Sequence, residues 1–279
     1  MGVVAGGCRG KSGMRTGLAR EMEADIVVFG LIGERGRELS SFISDGLGED
    51  GLRRAVLVAA TSDESPLTRR RAAWTAMAVA EHFRDQGRHV LLIVDSLTRF
   101  AEAHREIALT AGETPSLRAY PPSTASMIAG LAERAGPSGR RAGDGVITGV
   151  FSVLVAGSDM EEPVADITRG VLDGHIILDR AIAERGRFPA IDIGRAVSRS
   201  LPHAAAPEEN ALIAEARRLT LAYERATPMI QTGLYQSGGD AEIDRAVALH
   251  PKLDAFFASA SESPADAFKA LAVILGPNG

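Results

Sequence analysis

Apolar runs of strand length alternate with helical patterns along most of the chain, and this alternation limits the possible folds more than any other feature. The candidate strands are "GVVA" (2–5), "DIVVFGLI" (25–32), "RAVLVAAT" (54–61), "HVLLIVD" (89–95) and "GVITGVFSVLVA" (145–156). The helical patterns between them cover about 11–22, 36–46, 66–86 and 97–108. Near-continuous Val, Ile and Leu runs are typical of strands buried on both faces, so the pattern predicts an α/β domain with a mainly parallel sheet. Ligands in such folds bind at the carboxyl ends of the strands, where we therefore expect the chemistry.

The sequence changes character after about Ala204. The segments "PEENALIAEARRLTLAYERATPMIQ" (207–231), "DAEIDRAVALHPKLDAFFAS" (240–259) and "PADAFKALAVIL" (264–275) have helical spacing with no strand-like run between them. They predict a small all-helical C-terminal domain over 204–279, which follows an α/β domain over 1–203. Clusters of Gly, Pro and Ser predict loops at 111–123 and 135–145.

Composition and charge exclude several classes of protein. A hydrophobic content of 45% is ordinary for a folded chain. Because 31 basic residues face 36 acidic ones, the net charge is -5 and no overall positive field would hold nucleic acid. The single cysteine, Cys8, excludes an internal disulfide, which fits a reducing compartment. No apolar run is long enough to span a membrane and no signal sequence is evident, so a soluble, cytoplasmic protein is expected.

The stretch after the first apolar run, "AGGCRGKSG" (5–13), fits the phosphate-binding P-loop pattern if Ala5 takes the first glycine position. Glycines let backbone N–H groups surround phosphates, and the following helix points its positive N-terminus at them. Lys11 would reach the terminal phosphates, and the Ser12 hydroxyl would bind Mg²⁺. The alternative is a glycine-rich turn with a solvated lysine. The candidate nucleotide-binding residues are Gly6, Gly7, Cys8, Arg9, Gly10, Lys11, Ser12 and Gly13.

Two carboxylates follow other candidate strands. Asp95 ends the run "LLIVD", where it could hold magnesium through water, although it could equally be the N-cap of the next helix. Glu34 lies in "LIGERGRE" (31–38), after the second strand, where a carboxylate can orient and deprotonate an attacking water. Arg35 and Arg37 add positive charge there. The alternative for this stretch is a helix start with a solvated charged face, and the residues alone leave the two interpretations even.

Several longer segments together resemble one known family, the flagellar and type III secretion export ATPases, which are relatives of the catalytic subunits of rotary ATP synthases. The resemblance runs from Gly2 to about Phe257, and its longest shared motif includes "DMEEPVADITRGVLDGHI" (159–176). The other segments that carry it are "DSLTRFAEAHREIAL" (95–109), "YPPS" (120–123), "ERAG" (133–136), "RAIAERGRFPAID" (180–192), "VSRS" (197–200) and "GLYQSGGDAEIDRAVALHPKLDAFF" (233–257).

The resemblance implies a RecA-like P-loop NTPase core followed by the helical C-terminal domain. It implies ATP hydrolysis with Mg²⁺ by a hexameric ring whose sites lie at subunit boundaries. The ring would power protein export through a flagellum or an injectisome. The implied partners are other copies of the chain, stator and stalk proteins, export substrates and their chaperones, with no nucleic acid. The implied location is the cytoplasm, with at most peripheral association at the inner-membrane export gate.

The resemblance also implies a role for each matching residue. Lys11 and Ser12 match the nucleotide and magnesium positions, and Asp95 matches the strand-end aspartate. Glu34 matches the catalytic glutamate, and Arg35 matches its neighbour that contacts the terminal phosphate.

Two further positions match the family in the C-terminal third. Phe188 matches the aromatic residue that packs on adenine, usually a tyrosine, and Arg199 matches the arginine finger that a neighbouring subunit inserts to neutralise transition-state charge. The P-loop departs from the family, because Cys8 replaces a glycine, Arg9 a small apolar residue and Gly13 a threonine. Family members also carry an N-terminal β-barrel and a strand-bearing segment before the P-loop, and without them ring formation is expected to be weaker.

Three hypotheses follow. The first is an export ATPase that binds and hydrolyses ATP, which the presence of Lys11, Ser12, Glu34, Asp95 and Arg199 favours. The second is a truncated or degenerate non-catalytic paralogue that acts as a nucleotide-binding or structural subunit, which the altered P-loop favours. The third is a RecA-like nucleic-acid motor, which would need a basic groove with aromatic residues; aromatic residues make up only 5% of the chain.

Overall fold

The structure, a computed structural model, describes residues 1–6, 10–139, 143, 145–156 and 160–276, with the side chains of Asp50 and Leu117 excepted. The chain divides into two compact units, residues 1–180 and 181–279. The domain boundary after residue 203, placed from the sequence where strand-like runs end, stays a prediction.

The first unit alternates strands and helices. In chain order its elements are β1 (Gly2–Ala5), α1 (Gly10–Glu21), β2 (Ile26–Glu34), α2 (Gly36–Ser41), a π-helical turn (Phe42–Leu47), α3 (Gly48–Arg53), β3 (Ala55–Thr61), α4 (Pro66–Arg84), β4 (His89–Asp95), α5 (Leu97–Thr110), a 3-10 turn (Leu117–Ala119), α6 (Ser123–Ala132), β5 (Gly136–Pro137), β6 (Val146–Leu154), α7 (Pro163–Val171) and β7 (Gly174–Leu178). Helix α8 (Arg180–Glu184) follows β7.

The strands of the first unit form a mainly parallel sheet in the order β3-β2-β4-β6-β1-β7, and β5 pairs with β6 in the antiparallel direction. The central strand β4 pairs with β2 and with β6, so its residues Val90 to Asp95 are buried. Apolar faces of α4 and α5 pack on this part of the sheet and α6 packs on those helices, so that Met77, Phe100, Ile128 and Leu131 are fully buried. The predicted α/β class with a mainly parallel sheet is confirmed.

The predicted strands agree with the structure, whereas one predicted helix does not. The five predicted strands are all present, within two residues at each end. The single helix predicted over 36–46 is wrong, because α2 ends at Ser41 and a π-helical turn and α3 follow it. Periodicity could not show this, since an inserted residue shifts the helical phase while the side chains of Phe42 and Leu47 stay buried. Helix α7 and strand β7 lie in the family motif, where no element was predicted.

The second unit is mainly helical. It contains a two-residue strand β8 (Val197–Ser198) and three long helices, α9 (Pro207–Gln231), α10 (Ala241–Ala258) and α11 (Pro264–Leu275). Asp240 and Ser263 cap α10 and α11, because their side chains accept bonds from backbone N–H groups of the first turns. Leu219, Leu253 and Leu271 are among the residues of a core that these helices share. No helix in the described part of the chain is long and apolar enough to cross a membrane.

Candidate active site

Three segments meet at the carboxyl edge of the sheet. Strand β1 leads towards α1, whose second residue is Lys11, while β2 ends at Glu34 and β4 ends at Asp95. Because β2 and β4 are adjacent parallel strands, their last residues lie on the same edge, with Leu31 opposite Asp95 in the register. The sheet topology therefore brings together residues that are far apart in the sequence.

Lys11 lies between the two carboxylates. Its Nζ is 3.2 Å from Glu34 Oε1 and 2.7 Å from Asp95 Oδ1. The Lys11 and Glu34 side chains are 15% and 19% exposed, whereas Asp95 is 1% exposed. The alternative of a solvated lysine in a glycine-rich turn therefore disagrees with the structure.

Asp95 is held at both carboxylate oxygens. Besides Lys11, the Ser152 hydroxyl donates to Oδ1 at 2.5 Å, and Arg15 donates from an Nη to Oδ2 at 2.6 Å. Burial opposes ionisation of Asp95, but the charges of Lys11 and Arg15 and the bond from Ser152 outweigh it, so the pKa of this carboxyl lies below its usual value. Asp95 is therefore a buried carboxyl group whose surroundings favour its ionised form.

Asp95 is not the N-cap of α5, the alternative role considered for it, because the next residue caps that helix. Ser96 is the N-cap of α5, because its hydroxyl oxygen accepts a bond from the backbone N–H of Arg99 at 3.3 Å. With Ser96 in that position, the Asp95 carboxylate is left for the contacts of the site.

A β-bulge directs Glu34. The register between β2 and β3 shifts between Ile32 and Glu34, and Gly33 between them has a φ of 71°. A side chain at Gly33 would meet Arg99, whose Cγ lies 2.9 Å from the place of a Cβ. Bulges of this kind re-aim side chains near functional sites, and only glycine takes this conformation without strain. The alternative of a solvated helix start does not hold for Glu34, since it ends a strand and contacts Lys11.

The pKa of Glu34 is raised above its usual value. Burial is the largest cause, and the negative charge of Asp95 and the nearby Glu38 add to it, while Lys11 acts in the opposite direction. A carboxylate with a raised pKa is a better proton acceptor than an ordinary one, which suits a general base.

Three residues of the site were not predicted from the sequence. Arg15 pairs with Asp95 and stacks on the Phe42 ring, with the guanidinium carbon 3.9 Å from the ring centroid. Arg15 follows Lys11 by four residues, so helical spacing would have placed both on one face of α1. Ser152 is a polar residue within the apolar strand β6, which is the available signal for it. No sequence pattern indicates that Phe42 lies under Arg15.

An open cavity borders these residues. Its volume is about 810 Å³, which is within the usual range for small-molecule sites. The lining includes Ser12 and Gly13 on α1, Glu34 at the end of β2, and Arg15 and Phe42. The cavity therefore gives a ligand access to Glu34 and to the first turns of α1 at this edge of the sheet.

The structure places the remaining predicted site residues as follows. Gly6 is buried after β1, Gly10 begins α1, and Ser12 and Gly13 are exposed on its first turn. Gly7, Cys8 and Arg9 lie outside the described residues. Arg35 is 65% exposed, with an Nη 3.8 Å from Glu38 Oε1.

Phe188 and Arg199 belong to the second unit. The Phe188 ring is 46% exposed, which leaves a face of an aromatic side chain accessible there. Arg199 follows β8 and is also exposed.

The donor groups at this edge fit a magnesium ion that is held mainly by its nucleotide. Mg²⁺ in such sites uses one or two protein oxygens together with phosphates, and does not need a cage of protein ligands. Ser12 offers a hydroxyl at the start of α1, and Asp95 and Glu34 supply the carboxylates. Within the described ranges, no group of three or more His, Cys, Asp or Glu residues could hold a metal ion.

Comparison with known proteins gives one consistent result. Residues 1–198 match the ATP synthase alpha/beta family, nucleotide-binding domain, and residues 205–272 match the T3SS EscN ATPase C-terminal domain. The flagellum-specific ATP synthase of Caulobacter vibrioides is 48% identical to this chain over 282 aligned positions, which cover 99% of the chain and 63% of the relative. The chain thus spans less than two thirds of that relative.

Solved structures agree with the sequence comparison. The assembled ATPase EscN of the enteropathogenic E. coli type III secretion system superposes with a TM-score of 0.90 at 38% identity, over 99% of this chain and 66% of EscN. EscN in complex with its central stalk EscO superposes with a TM-score of 0.87 at the same identity and coverage. The RecA-like fold predicted from the family resemblance is confirmed by these matches. The chain therefore belongs to the ATP synthase alpha/beta family, in the group of the flagellar and type III secretion export ATPases.

Proposed function

We propose that this chain is a P-loop ATPase that energises protein export through a flagellar or type III secretion apparatus. The observation that carries the proposal is the position of Lys11 between two carboxylates whose pKa values move in opposite directions. A cation for phosphates, a carboxylate that can accept a proton and a second carboxylate whose ionised form is favoured, all at one strand edge, are the groups that nucleotide hydrolysis needs. A non-catalytic subunit would not need Glu34 with a raised pKa.

In the proposed mechanism Lys11 binds the terminal phosphates of ATP and Glu34 orients the attacking water and takes its proton. Ser12 and Asp95 are the residues that would hold Mg²⁺. The bound ion supplies positive charge to the phosphate oxygens. Arg35, which is exposed beside Glu34, contacts the terminal phosphate in this mechanism.

The second unit contributes in the proposal through two residues. The accessible Phe188 ring packs on adenine, and Arg199 acts as a finger in the site of a neighbouring copy. We therefore propose a hexameric ring in the cytoplasm, with a stalk protein comparable to EscO, stator proteins, chaperones and export substrates as partners, and at most peripheral contact with the membrane. That EscN has been solved assembled and with its stalk supports this part of the proposal.

The proposal is tested by ATP hydrolysis of the purified chain over a range of protein concentrations, with Glu34→Gln as the matched inactive control. We expect phosphate release per subunit to rise steeply with concentration, because a finger from a second copy completes each site. If neither the parent nor Glu34→Gln releases phosphate at any concentration, the proposal that the chain is an ATPase is contradicted. Activity that does not depend on concentration would contradict the role of Arg199.

A further inference from the structure

Arg15 is a charged residue at the edge of the site that the proposed mechanism does not use. It lies one helical turn after Lys11 on α1, and its side chain is 10% exposed. Burial of a guanidinium to this degree is costly unless the group is paired, and its partner is Asp95 at 2.6 Å. The pairing with Asp95 therefore offsets the cost of burying the Arg15 guanidinium.

The ion pairs of Asp95 would change when a nucleotide binds. Among the residues that the structure describes, two cations, Lys11 and Arg15, face this buried carboxylate. Under the proposed function Lys11 turns its charge to the phosphates when nucleotide binds. Asp95, at 1% exposure, would then keep Arg15 as its side-chain ion-pair partner, and losing that partner as well would leave a buried carboxylate without a direct ion pair, which is strongly unfavourable.

Arg15 is fixed in place independently of Lys11. Its guanidinium stacks on the ring of Phe42, which is itself buried and contacts the Phe29 ring edge-on at 5.1 Å between centroids. Nη1 contacts Asp95, while Nε has no hydrogen-bond partner among the described residues. The contact between Arg15 and Asp95 thus depends on the Nη1 group of Arg15 and on the Phe42 ring that supports the guanidinium.

We propose that Arg15 is the positioning residue for Asp95, and that it stays paired with this carboxylate when Lys11 transfers its charge to a nucleotide phosphate. The inference rests on the proposed function, since the transfer of Lys11 requires a bound nucleotide. Arg15 touches neither phosphate nor reacting water in this account and acts only through Asp95.

The first test needs no nucleotide. Urea unfolding is measured for Arg15→Met in the parent chain and in Lys11→Met, a variant that mimics the departure of the lysine charge. We expect Arg15→Met to lower the urea midpoint more in Lys11→Met than in the parent, because Arg15 is then the remaining cation. Arg20→Met is the matched control: Arg20 lies on the same helix, is exposed and donates to the Gly46 carbonyl at 2.6 Å, so its effect should be equal in both backgrounds.

Additive effects of Lys11→Met and Arg15→Met would overturn the proposal whether or not the chain hydrolyses ATP. The second test measures the Mg²⁺ concentration for half-maximal hydrolysis. Supporting shells of metal sites typically contribute about 10-fold to metal affinity, so we expect a rise of roughly that size in Arg15→Met, partial recovery in Arg15→Lys and no change in Arg20→Met. A lower kcat with unchanged Mg²⁺ dependence would show a merely structural role for Arg15.

The two proposals fail in different ways. If neither parent nor variants hydrolyse ATP, the proposed function is wrong, and the unfolding measurements alone decide whether Arg15 secures Asp95. If the parent hydrolyses ATP and the two unfolding effects are additive, the function stands and the role of Arg15 is wrong.

Discussion

The carboxyl ends of β2 and β4 lie side by side and carry the same chemical group, yet the two carboxylates differ in almost every physical respect. Asp95 at the end of β4 is 1% exposed and accepts bonds at both oxygens, whereas Glu34 at the end of β2 is 19% exposed and contacts Lys11 at 3.2 Å. The pKa of Asp95 is lowered and the pKa of Glu34 is raised. The difference shows that the balance between burial and neighbouring charges, and not residue type, sets the direction in which each carboxyl pKa moves.

The backbone explains why the two ends differ. Strand β4 is central and ends directly against Ser152 of β6 and Arg15 of α1, so the aspartate meets fixed donors. Strand β2 ends with the bulge at Gly33, which turns Glu34 towards the open cavity. One carboxylate is thus enclosed by donors, and the other borders the space that a ligand would enter.

The largest expected effect is on the rate of ATP hydrolysis when Glu34 can no longer accept a proton. Glu34→Gln keeps the shape of the side chain but removes the base, so we expect kcat to fall by about 10²- to 10⁴-fold. Nucleotide binding should be retained, because Lys11 is unchanged. Steady-state phosphate release and binding of a fluorescent ATP analogue measure the two properties separately, and a variant with parental kcat would remove Glu34 from the mechanism.

The second effect is on stability, when the Asp95 carboxylate is removed. Asp95→Asn leaves Lys11 and Arg15 without their shared carboxylate, so we expect a loss of about 3 kcal/mol in the free energy of unfolding. Glu34→Gln should change the same quantity by less than about 1 kcal/mol, since it loses one partly exposed pair. Urea unfolding of both variants tests this, and equal losses would contradict the contrast between the two strand ends.

A third and smaller effect is the pH dependence of the free energy of unfolding, to which Asp95 and Glu34 contribute with opposite signs. The lowered pKa of Asp95 stabilises the fold above the ordinary value of 3.8, and this contribution is lost as the pH falls. The raised pKa of Glu34 has the opposite sign, so its contribution is present below 4.5 and is lost as the pH rises through the folded-state pKa.

The expected result is a pair of opposite trends in the free energy of unfolding relative to the parent. The deficit of Asp95→Asn should shrink as the pH falls below 3.8, and Glu34→Gln should gain on the parent as the pH rises above 4.5. Urea unfolding from about pH 3 to about pH 8 measures both trends. Parallel trends would show that the two carboxylates titrate alike.

The smallest effect on stability concerns Arg35, next to Glu34. Its side chain is 65% exposed and its contact with Glu38 is 3.8 Å long, so Arg35→Met should change the free energy of unfolding by less than about 0.5 kcal/mol. Hydrolysis should nevertheless fall if Arg35 contacts the terminal phosphate. A stable variant with full activity would remove Arg35 from the proposed site.

Much of this site follows from the sequence because it depends on where strands end. The runs before Lys11, Glu34 and Asp95 are apolar and near-continuous, which is enough to place three strand ends on one edge of a parallel sheet. The roles proposed for Phe188 and Arg199 came instead from the family resemblance, since no local pattern distinguishes them from other exposed residues.

The remaining parts depend on contacts between distant segments. Arg15 was within reach of helical spacing, but its pairing with Asp95 depends on how α1 packs over β4, and its stacking depends on the π-helical turn at Phe42. The opposite pKa directions of Glu34 and Asp95 depend on burial and on nearby charges, which sequence order does not reveal.

The central claim is that Lys11 binds nucleotide while Glu34 acts only in its cleavage. The most direct test is a single-turnover experiment in which bound and cleaved ATP are measured in the same sample for the parent, Lys11→Met and Glu34→Gln. We expect binding and cleavage in the parent, binding without cleavage in Glu34→Gln, and weak binding in Lys11→Met. Equal binding in Lys11→Met and the parent, or cleavage at the parental rate in Glu34→Gln, would contradict it.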